Sequence, residues 1–129
     1  MATIPDSHAD LLDGVVALTT VGPDGYPQAT AVNVRLEADG KIHTSINDGR
    51  QKFRNLSARP QATVFMIDPA NPYRTIEVRA DAELVADPDK SWTRAFLPGF
   101  DVDAIDGDAQ RYHVILTPVK VNTVTPGAW

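Results

Sequence analysis

The chain has 129 residues, of which 43% are hydrophobic, and a formal net charge of −5 at pH 7. This length fits one domain, residues 1–129, that can bury its own core. The absence of cysteine excludes disulfides, thiol nucleophiles and zinc–thiolate sites. The acidic balance argues against nucleic-acid binding, which needs a broad basic face. No apolar run approaches membrane-spanning length, and the N-terminus lacks the regions of a signal peptide, so we expect a cytoplasmic protein without a membrane partner.

The first half of the chain predicts one short helix and three strands. Their expected bounds are Ser7–Asp13 for the helix and Val15–Val21, Gln28–Glu37 and Lys41–Asn47 for the strands. Residues 22–25 (Gly-Pro-Asp-Gly) form a strong turn signal, and the Asp39-Gly40 pair is typical of a hairpin. Between these turns the sequence alternates, so that Val32 and Val34 share an apolar face of the strand and Asn33 lies on the other face.

The second half predicts two helices and three more strands. Their expected bounds are Arg50–Ala58 and Pro88–Phe96 for the helices, and Gln61–Asp68, Tyr73–Val85 and Arg111–Val124 for the strands. Pro60 must end the first of these helices, residues 98–108 are predicted to be a solvated acidic loop, and Pro118 is predicted to interrupt the last strand. Six strands joined mostly by tight turns predict a mainly β fold, an antiparallel six-stranded sheet closed into a small barrel with short α-helices.

The segment that follows the third strand reverses the local sign of the charge. Four of the chain's twelve basic residues lie here, at Arg50, Lys52, Arg54 and Arg59. Arg50 and Lys52 fall in the first helical turn, where the helix dipole disfavours cations. The N–H groups at such a helix start also suit a phosphate. Two interpretations therefore stay open, an anion-binding site and an ordinary solvated helix start.

Other residues that could carry chemistry form weak patterns. The acidic segment contains Asp101, Asp103, Asp106 and Asp108. Their spacing departs from that of a calcium loop, because Ile105 stands at a ligand position. The histidines, His8, His43 and His113, have no metal-like neighbours, so we expect no metal site. No nucleophile-elbow motif is present, so in an enzyme a bound cofactor would supply the chemistry.

Three segments, taken in order, resemble a known family. They are residues 17–28, residues 50–56 with the form Arg-x-Lys-x-x-Asn-Leu, and residues 68–80. Over roughly residues 10–124, the chain is similar to the split β-barrel flavin-binding superfamily related to pyridoxamine 5′-phosphate oxidase. With Lys52 and a short C-terminal strand, it most resembles the branch that uses the deazaflavin coenzyme F420. The resemblance implies the FMN-binding split-barrel fold.

The resemblance also implies a homodimer with two cofactor sites at the subunit interface. The implied contacts are Val32, Asn33 and Val34 at the deazaflavin ring, Thr44 and Ser45 at the ribityl chain or phosphate, Arg50, Lys52 and Asn55 at the phosphate and oligoglutamate tail, and Tyr73 and Arg74 closing from the partner chain. Coenzyme F420 is a polyanion, which suits lysine and arginine donors. Relatives often carry an aromatic residue where this chain has Val34, which leaves the substrate side of the ring open.

The resemblance thus implies an F420-dependent oxidoreductase that transfers a hydride between F420 and a small, planar, unsaturated organic substrate. Its catalytic residues stay unknown, since Arg35, Tyr73 and a water molecule are all candidates to donate the proton. An FMN-dependent oxidase or reductase is the nearest alternative. FMN explains fewer of the basic residues, because it has one phosphate and no glutamate tail. A non-catalytic protein that binds a flavin or F420 is the third possibility and would use the same binding residues.

Overall fold

The computed structural model describes residues 1–127. The strands are β1 Asp13–Val21, β2 Pro27–Leu36, β3 Ile42–Asn47, β4 Gln61–Asp68, β5 Asn71–Asp87 and β6 Arg111–Val124. The helices are a 3-10 helix at Ala9–Leu12, α1 Gln51–Ala58, α2 Ser91–Phe96 and α3 Val102–Asp106. All strand pairs are antiparallel, and the sheet closes in the order β1-β2-β3-β6-β5-β4. The predicted fold class is confirmed.

Tight glycine turns join the first three strands. Gly25 ends the β1–β2 turn with φ +82° and Gly40 ends the β2–β3 turn with φ +77°, a region that glycine enters without steric cost. The Lys41 N–H donates to Asp39 Oδ1 at 2.9 Å and holds the second turn. The chain then leaves the sheet through α1. Strand β3 pairs with β6, and the pairing of β4 with β1 closes the barrel.

The barrel interior is filled by branched aliphatic side chains that alternate along the strands. Fully buried positions include Val34, Ile42, Ile46, Val64, Ile76, Val78, Val114 and Leu116. Leu12 from the 3-10 helix and Leu56 from α1 belong to the same core. Because each of these leucines is almost fully enclosed, truncating either to Ala should destabilise the barrel by about 2–5 kcal/mol. The two small helices are therefore held to the barrel by core packing.

The last strand runs through Pro118 without a break, which differs from the predicted interruption. Ala80 of β5 pairs with Pro118, whereas Arg79 pairs with Lys120, so Val119 is an extra residue on β6. A bulge of this kind accommodates proline, which has no N–H to donate to the sheet.

Helix α2 begins three residues later than the sequence predicts. Asp87 stays in β5 because it pairs with Arg111, and Lys90 adopts a left-handed conformation with φ +60° before the helix starts. The Asp87 carboxylate accepts the backbone N–H groups of Trp92 at 3.3 Å and Thr93 at 2.8 Å. It therefore caps the helix from outside, and the prediction that Pro88 is the first helical residue is wrong.

The acidic segment is only in part the solvated loop that the sequence predicts, because Asp101, Asp103 and Asp108 are exposed but a short helix forms and Asp106 is buried. Residues 102–106 form α3, and Asp101 begins it by accepting the Ala104 N–H at 3.1 Å. Asp106 is buried and faces the Arg111 guanidinium, with Nη2–Oδ1 at 2.8 Å. The sequence could not predict this burial, because the partner of the Asp106 carboxylate, Arg111, belongs to β6 and meets it only in the folded chain.

Candidate functional site

The basic start of α1 is built on a loop that is fastened to β6. The Asp48 N–H donates to the Gln110 carbonyl at 2.9 Å, and the Gln110 N–H donates to Asp48 Oδ1 at 3.0 Å. Arg50 then occupies the N-cap position with no side-chain cap, so the first N–H groups of α1 receive no side-chain acceptor from it. The ring of Phe53 packs on Tyr112 with centroids 4.6 Å apart, which fixes the first turn against β6.

Lys52 is half-buried in this turn and lies beside other cations. Burial is the main cause that lowers the pKa of Lys52 below its usual value, and the charges of Arg50 and Arg111 lower it further. Among residues 1–127, neither Arg50 nor Lys52 has a carboxylate within ion-pair distance. An anion bound here would restore the charge balance and raise the pKa of Lys52.

The other two arginines of the segment are also without acidic partners in the described part of the chain. Arg54 donates to Gln51 Oε1 at 2.9 Å and to the Gly49 carbonyl at 3.5 Å. Arg59 donates to the Gly22 carbonyl at 3.3 Å. These acceptors are neutral, so α1 and its ends carry uncompensated positive charge on a protein whose net charge is −5.

Arg111, which adds to the positive field at Lys52, is neutralised by Asp106. Arg111 Nε lies 2.9 Å from Asp106 Oδ2, and Asp106 also receives Asn47 Nδ2 at 3.0 Å and Lys90 Nζ at 3.2 Å. Burial alone would raise the pKa of Asp106, but these hydrogen bonds outweigh it and lower the pKa below its usual value. The ion pair of Arg111 and Asp106 therefore stabilises the fold next to the first turn of α1.

Asn55 lies on the other side of α1. Its Nδ2 donates to Thr20 Oγ1 at 3.0 Å and to Gln28 Oε1 at 3.1 Å, and its Oδ1 accepts from Gln51 Nε2 at 2.8 Å. Asn55 is buried. In this structure it fastens α1 to the β1–β2 hairpin, which is a different role from the predicted contact with an anionic tail.

Thr44 and Ser45 are both buried, and their hydroxyls already have partners. Thr44 Oγ1 donates to the Asn33 carbonyl at 2.6 Å. Ser45 Oγ lies 2.7 Å from Thr93 Oγ1, and that hydroxyl in turn donates to Asp87. Because consecutive strand residues face opposite sides, the two side chains do not converge on one ligand. The predicted contacts with a ribityl chain or phosphate receive no support from their side chains.

The side chains of Val32 and Val34, which the resemblance places at the deazaflavin ring, do not lie on the exposed surface of this subunit. Both are in the barrel core, with 7% and 2% of their surface exposed. The same alternation puts Asn33 and Arg35 on the outer face, where they line a cavity of about 130 Å³ with Phe96 and Phe100. Of residues 32–34, only Asn33 therefore presents its side chain to this side of the barrel, while Val32 and Val34 offer their backbone.

Tyr73 and Arg74 lie near the start of β5, just after the β4–β5 turn. Tyr73 is 55% exposed. Arg74 forms ion pairs with Asp10 at 2.6 Å and Asp68 at 2.8 Å and donates to the Ser7 carbonyl at 2.9 Å. These contacts raise the pKa of Arg74 further and bind the turn to the 3-10 helix of the same chain. Arg74 therefore already has a role within its own subunit.

An apolar surface covers the outer face of β1, β2 and β4. Val15, Phe65 and Ile67 are exposed by 56%, 38% and 47%. Together with small side chains of β1 and β2 they line a groove of about 450 Å³. A contiguous apolar surface of this kind commonly marks an interaction site.

The structure also joins two histidines that the sequence presents as scattered. His43 Nδ1 lies 2.8 Å from His113 Nε2, and His43 Nε2 lies 2.8 Å from Asp39 Oδ2. Only the β3–β6 register could have shown this contact, because 70 residues separate the two histidines.

Within residues 1–127, no group of three or more His, Cys, Asp or Glu side chains is arranged to hold a metal ion. No helix of the same residues is long and apolar enough to cross a membrane.

Comparison with known proteins agrees with the barrel topology. The family model described as pyridoxamine 5′-phosphate oxidase matches residues 5–121. The chain therefore belongs to the pyridoxamine 5′-phosphate oxidase family, whose fold is the split barrel seen here. No curated protein matches the chain.

Several solved structures share the fold. An F420 reductase is 31% identical, with 92% of this chain and 98% of that chain covered and a TM-score of 0.77. The conserved hypothetical protein Rv2991 of Mycobacterium tuberculosis is 24% identical, with 95% and 85% covered and a TM-score of 0.69. A heme binding protein of Mycobacterium smegmatis is 18% identical, with 99% and 57% covered and a TM-score of 0.69. The last two likenesses show the fold alone.

Proposed function

We propose that this protein is an F420-dependent oxidoreductase that transfers a hydride between F420 and a small unsaturated organic substrate. The observation that carries the proposal is Lys52, a half-buried cation with Arg50 beside it and no carboxylate partner among residues 1–127. A half-buried ammonium group repelled by its neighbours is costly unless an anion completes the site. The 31% identity to an F420 reductase along nearly the whole chain supports the same choice.

The number of uncompensated cations favours F420 over FMN. FMN offers one phosphate, whereas F420 carries a phosphate and an oligoglutamate tail. Arg50 and Lys52 suffice for one phosphate. Among residues 1–127, Arg54 and Arg59 bond to neutral groups only, and they extend the positive charge along α1 in the way a longer polyanion requires. The tail would therefore follow the exposed side of this helix.

The protein's own residues would bind and orient the cofactor. When bound, F420 supplies the hydride. Arg50 and Lys52 would hold its anionic end by charge-assisted hydrogen bonds, and the Asn33 side chain with the β2 backbone would meet its ring. The Arg35 side chain, one of the candidate proton donors, is engaged by α2, with its guanidinium over the Phe96 ring at 4.8 Å. Its Nη2 already donates to the Phe96 carbonyl at 2.9 Å.

The assembly we propose is a homodimer that buries the apolar face of β1, β2 and β4. Val15, Phe65 and Ile67 are large, exposed and contiguous on this face. A self-complementary surface of this type suits a twofold dimer. In such a dimer the β4–β5 turn with Tyr73 follows directly on the buried β4 surface. This arrangement is consistent with Tyr73 reaching a neighbouring subunit.

The test has two stages. The first measures which cofactor binds, and the second measures whether the protein catalyses a reaction with it. Titration of the purified protein with F420 and with FMN, followed by ligand fluorescence, should give the lower Kd for F420. Reduced F420 is then mixed with the protein and a set of electron-poor alkenes and quinones, and its oxidation is followed by absorbance. Turnover above the protein-free rate supports an enzyme, while tight binding with no turnover favours a cofactor carrier. Tighter binding of FMN would favour the FMN-dependent alternative.

A further inference from the structure

A row of four side chains links the β2–β3 turn to helix α2. Asp39 Oδ2 contacts His43 Nε2 at 2.8 Å, and His43 Nδ1 contacts His113 Nε2 at 2.8 Å. The His113 ring stacks on Trp92, with centroids 3.6 Å apart and planes inclined by 12°. Trp92 stacks in turn on Phe96, with centroids 4.8 Å apart. The helix thus rests on the histidine pair through a stack of rings.

The hydrogen bonds of this row fix how many protons it can hold. The hydrogen bond from the Lys41 N–H and the contact with His43 keep the pKa of Asp39 below its usual value, so this carboxylate is an acceptor. His43 must therefore carry a proton on Nε2. A single proton lies between His43 Nδ1 and His113 Nε2, since two would place N–H against N–H at 2.8 Å. The pair accommodates one extra proton, which His43 can hold beside Asp39.

A second extra proton is not compatible with the contact. With both rings cationic, each of the four ring nitrogens carries a hydrogen, and the bond between His43 and His113 is lost. Burial lowers the pKa of His113, and the charge of His43 lowers it further. A cation–π contact with Trp92 opposes this cost only in part. The second proton is therefore bound only at acidic pH, and it breaks the row.

The other charges near the pair come from every neighbouring element. They are Arg35 on β2, Lys41 beside Asp39, Glu83 and Asp87 on β5, Arg111 on β6, and Lys90 and Arg94 at α2. Glu83, Asp87 and Asp39 favour protonation of His113, but less strongly than burial and His43 oppose it. Arg111 is paired with Asp106, and Lys90 and Arg94 with Asp103. The contact between the two histidines is therefore the part of this neighbourhood that depends on how many protons the two rings carry.

Helix α2 forms one wall of the cavity beside Asn33 and Arg35. The Phe96 carbonyl accepts Arg35 Nη2 at 2.9 Å, and the Arg35 guanidinium lies over the Phe96 ring at 4.8 Å. The same wall continues through residues 97–100. With six residues, α2 is too short to be stable without its contacts to the barrel. The His113–Trp92 stack supplements the Asp87 cap and the buried side chains of Thr93 and Phe96. Losing it would therefore weaken the hold of the barrel on α2 and on the contact between Arg35 and Phe96.

We propose that Asp39, His43 and His113 are positioning residues that hold α2 as the wall of this cavity, and that uptake of a second proton by the histidine pair releases the helix. The use of the cavity by a substrate rests on the proposed function. The release of α2 does not, and it can be measured without any cofactor.

The test is an NMR titration of the whole protein from pH 8 to pH 4. The chain has only three histidines and two tryptophans, so the imidazole C–H and indole N–H signals can be assigned by single substitutions. Trp129→Phe leaves Trp92 as the one indole. We expect His43 and His113 to titrate in two coupled steps, and the Trp92 signal to move with the second step only. His43→Gln removes the neighbouring charge that lowers the pKa of His113, so His113 should titrate in one step and at a higher pH than in the wild type.

His8→Gln is the matched control. His8 bonds to the Val124 carbonyl at 3.0 Å and to Ser7, outside the row, so both steps and the Trp92 response should persist in this variant. The proposal is overturned if His43 and His113 titrate independently in the wild type, or if Trp92 is unmoved through both steps. If His43→Gln does not fold, the titration of the wild-type protein alone decides whether the proposal stands. Loss of the Trp92 response with F420 binding intact would overturn this inference only, whereas coupled titration without F420 binding would overturn only the proposed function.

Discussion

Replacing Lys52 by Met separates a ligand site from a solvated helix start. Met keeps most of the half-buried stem and removes only the charge. That charge opposes the helix dipole and is repelled by Arg50 and Arg111, so its removal should leave the free energy of unfolding unchanged or raise it by about 0.3–1 kcal/mol. If Lys52 binds an anion, losing the charge-assisted bond should cost about 1.5–3 kcal/mol of binding. This corresponds to a Kd for F420 that is roughly ten- to a hundred-fold higher.

The pH dependence of stability gives a second reading of the same change. Because the pKa of Lys52 is lowered in the folded state, the unfolded chain binds more protons between that folded value and the unfolded value of 10.5. Lys52 therefore makes the free energy of unfolding rise with pH across this window. Lys52→Met should remove that rise, which urea unfolding measured at several pH values would detect.

Affinity and stability are measured on the same samples, by F420 fluorescence and urea unfolding. Lys120→Met removes the same charge from an exposed position on β6 and should change neither quantity beyond about twofold in Kd, since exposed charges contribute little. The site assignment is refuted if Lys52→Met and Lys120→Met bind F420 equally well. A large loss of stability in Lys52→Met would instead show that the lysine supports the fold.

Three further changes test the interface and the internal supports. Ile67→Asp places a charge on the apolar face of β4 and should convert a sedimenting dimer into a monomer; a wild-type monomer at micromolar concentration would contradict the dimer. Asn55→Ala removes the hydrogen bonds of the buried Thr20 and the partly buried Gln28 and should lower the free energy of unfolding by about 1–3 kcal/mol in urea. Asp106→Ala leaves Arg111 buried and unpaired, which should cost about 3–5 kcal/mol. Because the pKa of Asp106 is lowered below 3.8, its contribution in the wild type is present above pH 3.8 and is lost as the pH falls through the folded value.

The strands were predictable because their signals are local. Strands Gln61–Asp68 and Arg111–Val124 have the same bounds in the sequence prediction and in the structure. Branched residues bounded by proline and turn residues determine such bounds without reference to the rest of the fold. Alternation likewise put Val32 and Val34 on one face. The resemblance to a flavin-binding family implied that these valines meet the cofactor, but barrel closure turns that face inward.

The remaining features depend on contacts between distant parts of the chain. The burial of Asp106 depends on Arg111 and Lys90 converging on it, and the histidine pair depends on the β3–β6 register. The partners of Ser45 and Asn55 lie 48 and 35 residues away. Of the features of the candidate site, only the basic start of α1 was recognisable in the sequence, because its basic residues are close together in the chain.

The most direct measurement of the central claim is the affinity of the wild-type protein for F420 species with increasing numbers of glutamates, compared with FMN at one fixed low salt concentration. If the cations of α1 bind the phosphate and its tail, Kd should fall with each of the first few glutamates. It should stay below that of FMN and rise as salt is added. A Kd that is independent of glutamate number and equal to that of FMN would contradict the assignment of the Arg50–Arg59 charges to F420.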